Sequence, residues 1–179
     1  MACDAILGID KDCLNNIGGI QSVYIADRED ISDVTETTGE VTAITMESTT
    51  QFNKFHFTKN SSSATETLEV DVTNGSTVYN QEVNIMIPRR EVSKRNAIAL
   101  LAAGQRDLTI IVVDNNGEAW LFGYNKDFEQ GLVLTSDDGG TGAGKTDMNG
   151  YNLVFSNEMV ERAFAVDKTI IPALLDPAV

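Results

Sequence analysis

The chain has 179 residues, 42% of them hydrophobic, and only three prolines; no apolar run reaches the roughly 18 residues that a membrane-crossing helix needs. This predicts one soluble globular domain over residues 1–179, with no membrane partner. Its 27 acidic and 13 basic residues leave a net charge of −14, which repels nucleic acid and anionic lipid and argues against a specific DNA-binding role.

The opening "MACDAILGIDKDC" carries acids where a secretory signal carries bases, so it reads as mature sequence made in a cytoplasm. Cys3 and Cys13 lack C-x-x-C spacing and have no histidine nearby, which predicts two reduced thiols in a docked N-terminal segment, about residues 1–16. The dominant period thereafter is two. "GGIQSVYIA" (18–26) is the first predicted strand, followed by "DREDISD" (27–33), a solvated acidic loop without the ligand spacing of a calcium loop.

"VTAITM" (41–46) and "FNKFHFTK" (52–59) are the next strands, and residues 41–59 are expected to form an extended hairpin arm with the polar tip "ESTTQ". "KNSSSATE" (59–66) reads as a polar connection. "TLEVDV" (67–72) and "TVYNQEVNIMI" (77–87) flank Asn74-Gly75, a strong hairpin signal that places Leu68, Val70 and Val72 on one face, against a core.

"PRREVSKRN" (88–96), with four bases and one acid, is the basic exception; without interleaved aromatics it reads as a solvated helix start. The helix is expected over about residues 90–103, with Ala97, Leu100, Leu101 and Gly104 on one stripe and Gly104 as the left-handed cap. "LTIIVVD" (108–114) is apolar on both faces and therefore predicted as a strand covered on both sides. "DNNGE" turns it into "EAWLFGY" (118–124), where Trp120 suits a core or subunit contact; "LVLT" (132–135) and "YNLVFS" (151–156) complete the set. The expected fold is mainly β (α+β), a β-sandwich or partly closed barrel with one flanking helix.

Gly139-x-x-x-x-Gly144-Lys145-Thr146 satisfies the phosphate-loop pattern letter for letter. Such a loop works because it follows a buried parallel strand and opens a helix whose amides hold phosphate. Here Asn149-Gly150 and an alternating strand follow, and Asp137, Asp138 and Asp147 surround the site with negative charge. A connection between two strands is the better reading. His56 is the sole histidine and reads as one strand position among aromatics, and adjacent Asp137 and Asp138 point to opposite sides of an extended segment. No catalytic, cofactor-binding or metal-ligating residue is predicted, and the chain is not expected to be an enzyme.

The phrase "CLNNIGGIQSVYIAD", and the later block of a helix, a hydrophobic strand, "DNNGEAWLFGY", a glycine-rich loop and "DMNGYNLVFS", resemble tail tube and related tail proteins of tailed phages of Bacteroidetes-type hosts. The resemblance spans roughly residues 13–156. It implies a β subunit with a flanking helix that assembles into rings, commonly hexameric, stacked into a conduit for the genome. It further implies other tail proteins as partners, transient passage of DNA, and a place in the virion tail after assembly in the host cytoplasm. A tail-end protein (hub, terminator or baseplate) and a non-viral β-sandwich binding module are the alternatives.

Overall fold

The computed structural model describes residues 8–11 and 13–175. In chain order the elements are β1 (Ile20–Asp27), a 3-10 turn (Arg28–Asp30), β2 (Ile31–Thr37), β3 (Glu40–Met46), β4 (Asn53–Phe55), β5 (Ser63–Asp71), β6 (Ser76–Pro88) and α1 (Val92–Ala102). They continue with β7 (Leu108–Asp114), β8 (Ala119–Phe122), β9 (Val133–Gly140), β10 (Gly150–Met159), β11 (Phe164–Val166) and α2 (Ile171–Leu174).

The strands form a seven-stranded sheet, ordered β2-β3-β11-β8-β7-β1-β4, and a four-stranded sheet, ordered β5-β6-β10-β9. Every pairing is antiparallel except the short β11–β3 contact. The inner faces of the two sheets meet in a core that includes Val23, Ile25, Val83, Ile85, Ile110, Val112, Leu153 and Phe155. This is the mainly β sandwich with a flanking helix that the period-two pattern predicts.

β7 shows why its sequence lacks alternation. Ile110 and Val112 enter the inter-sheet core, whereas Ile111 turns to a second cluster with Tyr24, Phe52, Leu121 and Leu174 on the far side of the larger sheet. Both faces of β7 are therefore buried, as "LTIIVV" leads one to expect. The far side is covered by α2 and by Phe52, whose backbone N–H donates to the Leu174 carbonyl at 2.9 Å.

Several expectations need correction, the solvated loop over 27–33 among them, since β2 begins at Ile31, 5% exposed. Residues 41–59 do not form a hairpin: β3 pairs with β2 and β4 pairs with β1, which puts the two halves far apart in the larger sheet. The tip cannot be a free arm either, because Phe52 is 1% exposed in the second core cluster. The buried stripe of α1 is Ile98 with Leu101, while Leu100 is 63% exposed and Ala97 is also exposed. β9 continues past "LVLT" through Gly140, because β10 pairs with it as far as the Gly150–Gly140 pair, with one bulge at Val154/Phe155. A further correction concerns the face of β5.

Candidate assembly surface

The β5–β6 hairpin forms at the Asn74-Gly75 signal, but with a four-residue loop, 72–75, beyond the Asp71–Ser76 pair instead of a two-residue turn, and its apolar face does not meet a core. Leu68 is 55% exposed, Val70 52% and Val72 89%, although the same side of β6 is buried further along at Gln81, Val83, Ile85 and Ile87. Pairs directly opposite one another share a face, so Leu68 with Tyr79 and Val70 with Thr77 continue the core side of the sheet into solvent. The hairpin extends beyond the larger sheet that would have covered it.

Its tip is nonetheless well defined. Asp71 Oδ1 accepts from the backbone N–H of Thr73 at 2.8 Å and of Asn74 at 3.3 Å, and Oδ2 accepts from Asn74 Nδ2. The two backbone hydrogen bonds are the main cause holding the Asp71 carboxyl below its ordinary range. Gly75, at φ 69°, then supplies the left-handed position that a side chain disfavours. The hairpin therefore has fixed geometry and an apolar stripe without a covering layer.

The opposite face of the four-stranded sheet has a different character. Alternation places Glu69, Asp71, Glu82, Asp138 and Glu158 on the outer side, all exposed, among threonine, serine and asparagine and the half-buried Val78, Met86 and Val154. No lysine or arginine lies on β5, β6, β9 or β10. Asp137 and Asp138 fall on opposite faces of β9, as adjacent strand residues must.

Where the two sheets part beside β5, a groove of about 670 Å³ opens, lined by Ala64, Val112, Trp120, Phe122, Arg162 and Ala163 among others. Glu66 braces its wall: Oε1 accepts from Arg162 Nε at 2.7 Å and Oε2 from the Ala163 N–H at 2.6 Å. Trp120, 38% exposed, sits at the rim rather than in the core. The N-terminal segment borders the same groove, anchored through Asn16–Gly18. Asn116 Oδ1 accepts from the Ile17 N–H at 2.8 Å, and Asn115 Nδ2 donates to the Gly18 carbonyl at 2.8 Å. Ahead of that anchor Ile9 is 99% exposed, and at the end of the segment expected to dock, about residues 1–16, Asn16 Oδ1 accepts from Asn116 Nδ2 at 2.9 Å. Cys13 is exposed and not disulfide-bonded; Cys3 lies outside the described residues.

The loop carrying the phosphate pattern is already filled by its own anion. Asp147 Oδ2 accepts from the Ala143 N–H at 2.9 Å and the Gly144 N–H at 2.6 Å, the two amides that a phosphate would need. These bonds are the cause that lowers the Asp147 carboxyl below its ordinary range. Gly139 lies in β9 rather than in the loop, and β10 rather than a helix follows. Lys145→Ala is accordingly expected to leave fold, assembly and nucleotide response unchanged; ATP binding by the parent that this variant loses, measured by calorimetry, would contradict it.

His56 is exposed just beyond β4. Among the described residues no group of three or more histidine, cysteine or acidic side chains is arranged to hold a metal, and no helix is long and apolar enough to cross a membrane. No known family matches the chain, and comparison with curated proteins and with solved structures finds no similar protein.

Proposed function

We propose that this chain is a virion structural protein, the subunit of a phage tail tube whose rings stack into a conduit for the genome. The observation that carries the reading is the outer face of β5-β6-β10-β9, mostly polar, with five exposed acids and no base on its four strands. Polyphosphate must slide along a conduit wall without being held, and a surface of one negative sign supplies repulsion where a DNA-binding face supplies cations. The exposed apolar stripe on the hairpin fits the same role, because an isolated subunit that leaves a core-type face open is one whose covering layer belongs to a neighbour.

On this reading the rings are hexameric, the partners are further copies and other tail proteins, and the protein acts in the virion tail rather than as a catalyst. Negative-stain electron microscopy of the purified full chain tests it. Rings or tubes with an open centre are expected, and a chain that remains monomeric at high concentration would overturn the reading. The groove with Trp120 at its rim favours a second reading, a β-sandwich binding module that takes a partner at the mouth of the sandwich; such a module stays monomeric alone.

A further inference from the structure

We propose that the cleft between the far face of the larger sheet and α2 binds a small amphipathic anion, an apolar stem carrying one carboxylate or phosphate group. Ser22, Lys54 and Lys168 hold its charged end. The site lies apart from the hairpin and the acidic face, and the proposal does not rest on the tube reading.

Strand register puts the sheet's share of the lining on one face. β1 pairs with β7 through Ser22–Val113 and Tyr24–Ile111, and with β4 through Tyr24–Lys54. Residues directly opposite one another, or two apart along a strand, project to the same side. Ser22, Tyr24, Lys54 and Val113 therefore all lie on the side of Ile111, away from the inter-sheet core. α2 packs on that side through Ile171 and Leu174. Between it and the sheet remains a cleft of about 500 Å³, with Tyr24, Val113 and Ile171 among its apolar walls and Ser22, Lys54 and Lys168 among its polar ones. A few polar groups set among apolar walls, in a cleft of this size, is the usual make-up of a small-molecule site.

Charge selects the ligand. In a chain of 27 acids and 13 bases, neither this cleft nor an adjoining one of about 400 Å³ has an acid in its wall. The two share Ser22 and Lys54, and the second adds His56 and Lys59. Lys54, Lys59 and Lys168 form no ion pair among the described residues. Lys54 Nζ sits 5.9 Å over the Tyr24 ring, and Lys168 Nζ donates to the Gly117 carbonyl at 3.2 Å. Asp167, the acid next to Lys168, instead accepts at Oδ1 from the Thr169 N–H at 2.9 Å.

A lysine on an edge strand such as β4 guards against pairing with other chains. That role accounts for neither Lys168 nor the buried hydroxyl beside it in the cleft wall. Ser22 is 8% exposed, borders both clefts, and its side chain makes no hydrogen bond among the described residues. A buried hydroxyl without a partner is costly. An anion drawn in by the two ammonium groups supplies the acceptor that Ser22 lacks, and the apolar walls take the stem.

The test uses the full chain with hexanoate as the probe, followed by backbone amide shifts in NMR. Saturable shifts are expected at Ser22, Tyr24, Val113 and Lys168. Hexanol, which has the stem without the charge, and inorganic phosphate, which has the charge without the stem, are each expected to bind roughly tenfold more weakly or worse at equal ionic strength. Hexyl phosphate is expected at the same residues, and whichever of the two anions binds more tightly identifies the head group. Lys54→Gln with Lys168→Gln is expected to weaken hexanoate about tenfold or more, and Ser22→Ala roughly threefold or more.

Thermal unfolding checks that each variant is folded, and the two lysine changes, both at exposed positions, carry the test if Ser22→Ala is not. Hexanol binding as tightly as hexanoate would overturn the proposal. So would hexanoate affinity unchanged in the double lysine variant, or no saturable shift at the cleft residues. A chain that forms tubes and fails these tests loses the cleft site alone; one that stays monomeric and passes them keeps it.

Discussion

A chain whose β5–β6 hairpin is cut back, with residues 70–77 replaced by Asn-Gly between Glu69 and Val78, is expected to fold and to stay monomeric. The fold should survive because the excised segment supplies nothing to either core cluster. Glu69 and Val78 are paired two steps below the Asp71–Ser76 pair that now closes the hairpin, so the ladder keeps its phase there and a two-residue Asn-Gly turn can close it in place of the native four-residue loop. Assembly should fail because the excision removes Val70 and Val72. Each would contribute about 1.5–3 kcal/mol if fully buried against a neighbour, and a few kcal/mol per contact decides association at micromolar concentration. Light scattering reports assembly and urea unfolding reports the fold. Assembly at the parent's concentration would show that another element joins the copies.

Ile111→Ala is expected to cost about 2–5 kcal/mol of stability, a large share of the roughly 5–15 kcal/mol a domain of this kind possesses. Ile111 is fully buried, and its side chain is what the larger sheet presents to Tyr24, Phe52, Leu121 and the C-terminal helix. Removing most of it opens a cavity that rigid neighbouring strands cannot collapse. Val113, on the same face but only half-buried, should cost less when truncated. The urea midpoint of each variant measures the difference. Equal midpoints for Ile111→Ala and the parent would mean that the second cluster does not support the fold.

These two sites differ in how readily the sequence discloses them. β7 was legible because Leu108 and the four consecutive apolar residues 110–113 leave no polar face to solvate, and nothing local competes with that requirement. The hairpin's existence was equally plain from Asn74-Gly75, but its exposed face was not. Alternation reports that Leu68 and Val70 share a side, and says nothing of whether another layer reaches that far.

The β2–β3 hairpin was missed for a local reason. Its turn carries Thr38 at φ 55° before Gly39 at φ 84°, and a β-branched residue in the left-handed region is a poor advertisement for a turn. The N–H of Gly39 donates to Glu36 Oε1, which helps hold the turn, but that bond is visible only in three dimensions. β11 had no signal of its own. Three residues are extended because β8 and β3 lie on either side of them, more than 40 and 120 positions earlier in the chain. The five acids of the outer face were legible only within a net charge; placing them together required the register of four strands. The helix stripe held at Leu101 but was turned by one residue elsewhere: Ile98 rather than Ala97 faces inward, and a 100° step is enough to carry Leu100 out to solvent.

β6 also has a mechanical character. Gln81, 1% exposed, bridges the sandwich at the point where the strand leaves it: Oε1 accepts from the Gly123 N–H at 2.9 Å and Nε2 donates to the Glu161 carbonyl at 3.1 Å. One half of the strand is clamped between layers and the other half overhangs, so Gln81 is the fulcrum of a cantilever. Amide hydrogen exchange along β6 should accordingly fall into two regimes, slow from Val83 to Ile87 and fast from Ser76 to Val78, with the step at Gln81. Load on the overhanging half would be absorbed as bending before it reached the clamped half, so a pull on the hairpin would spare the fold that carries it.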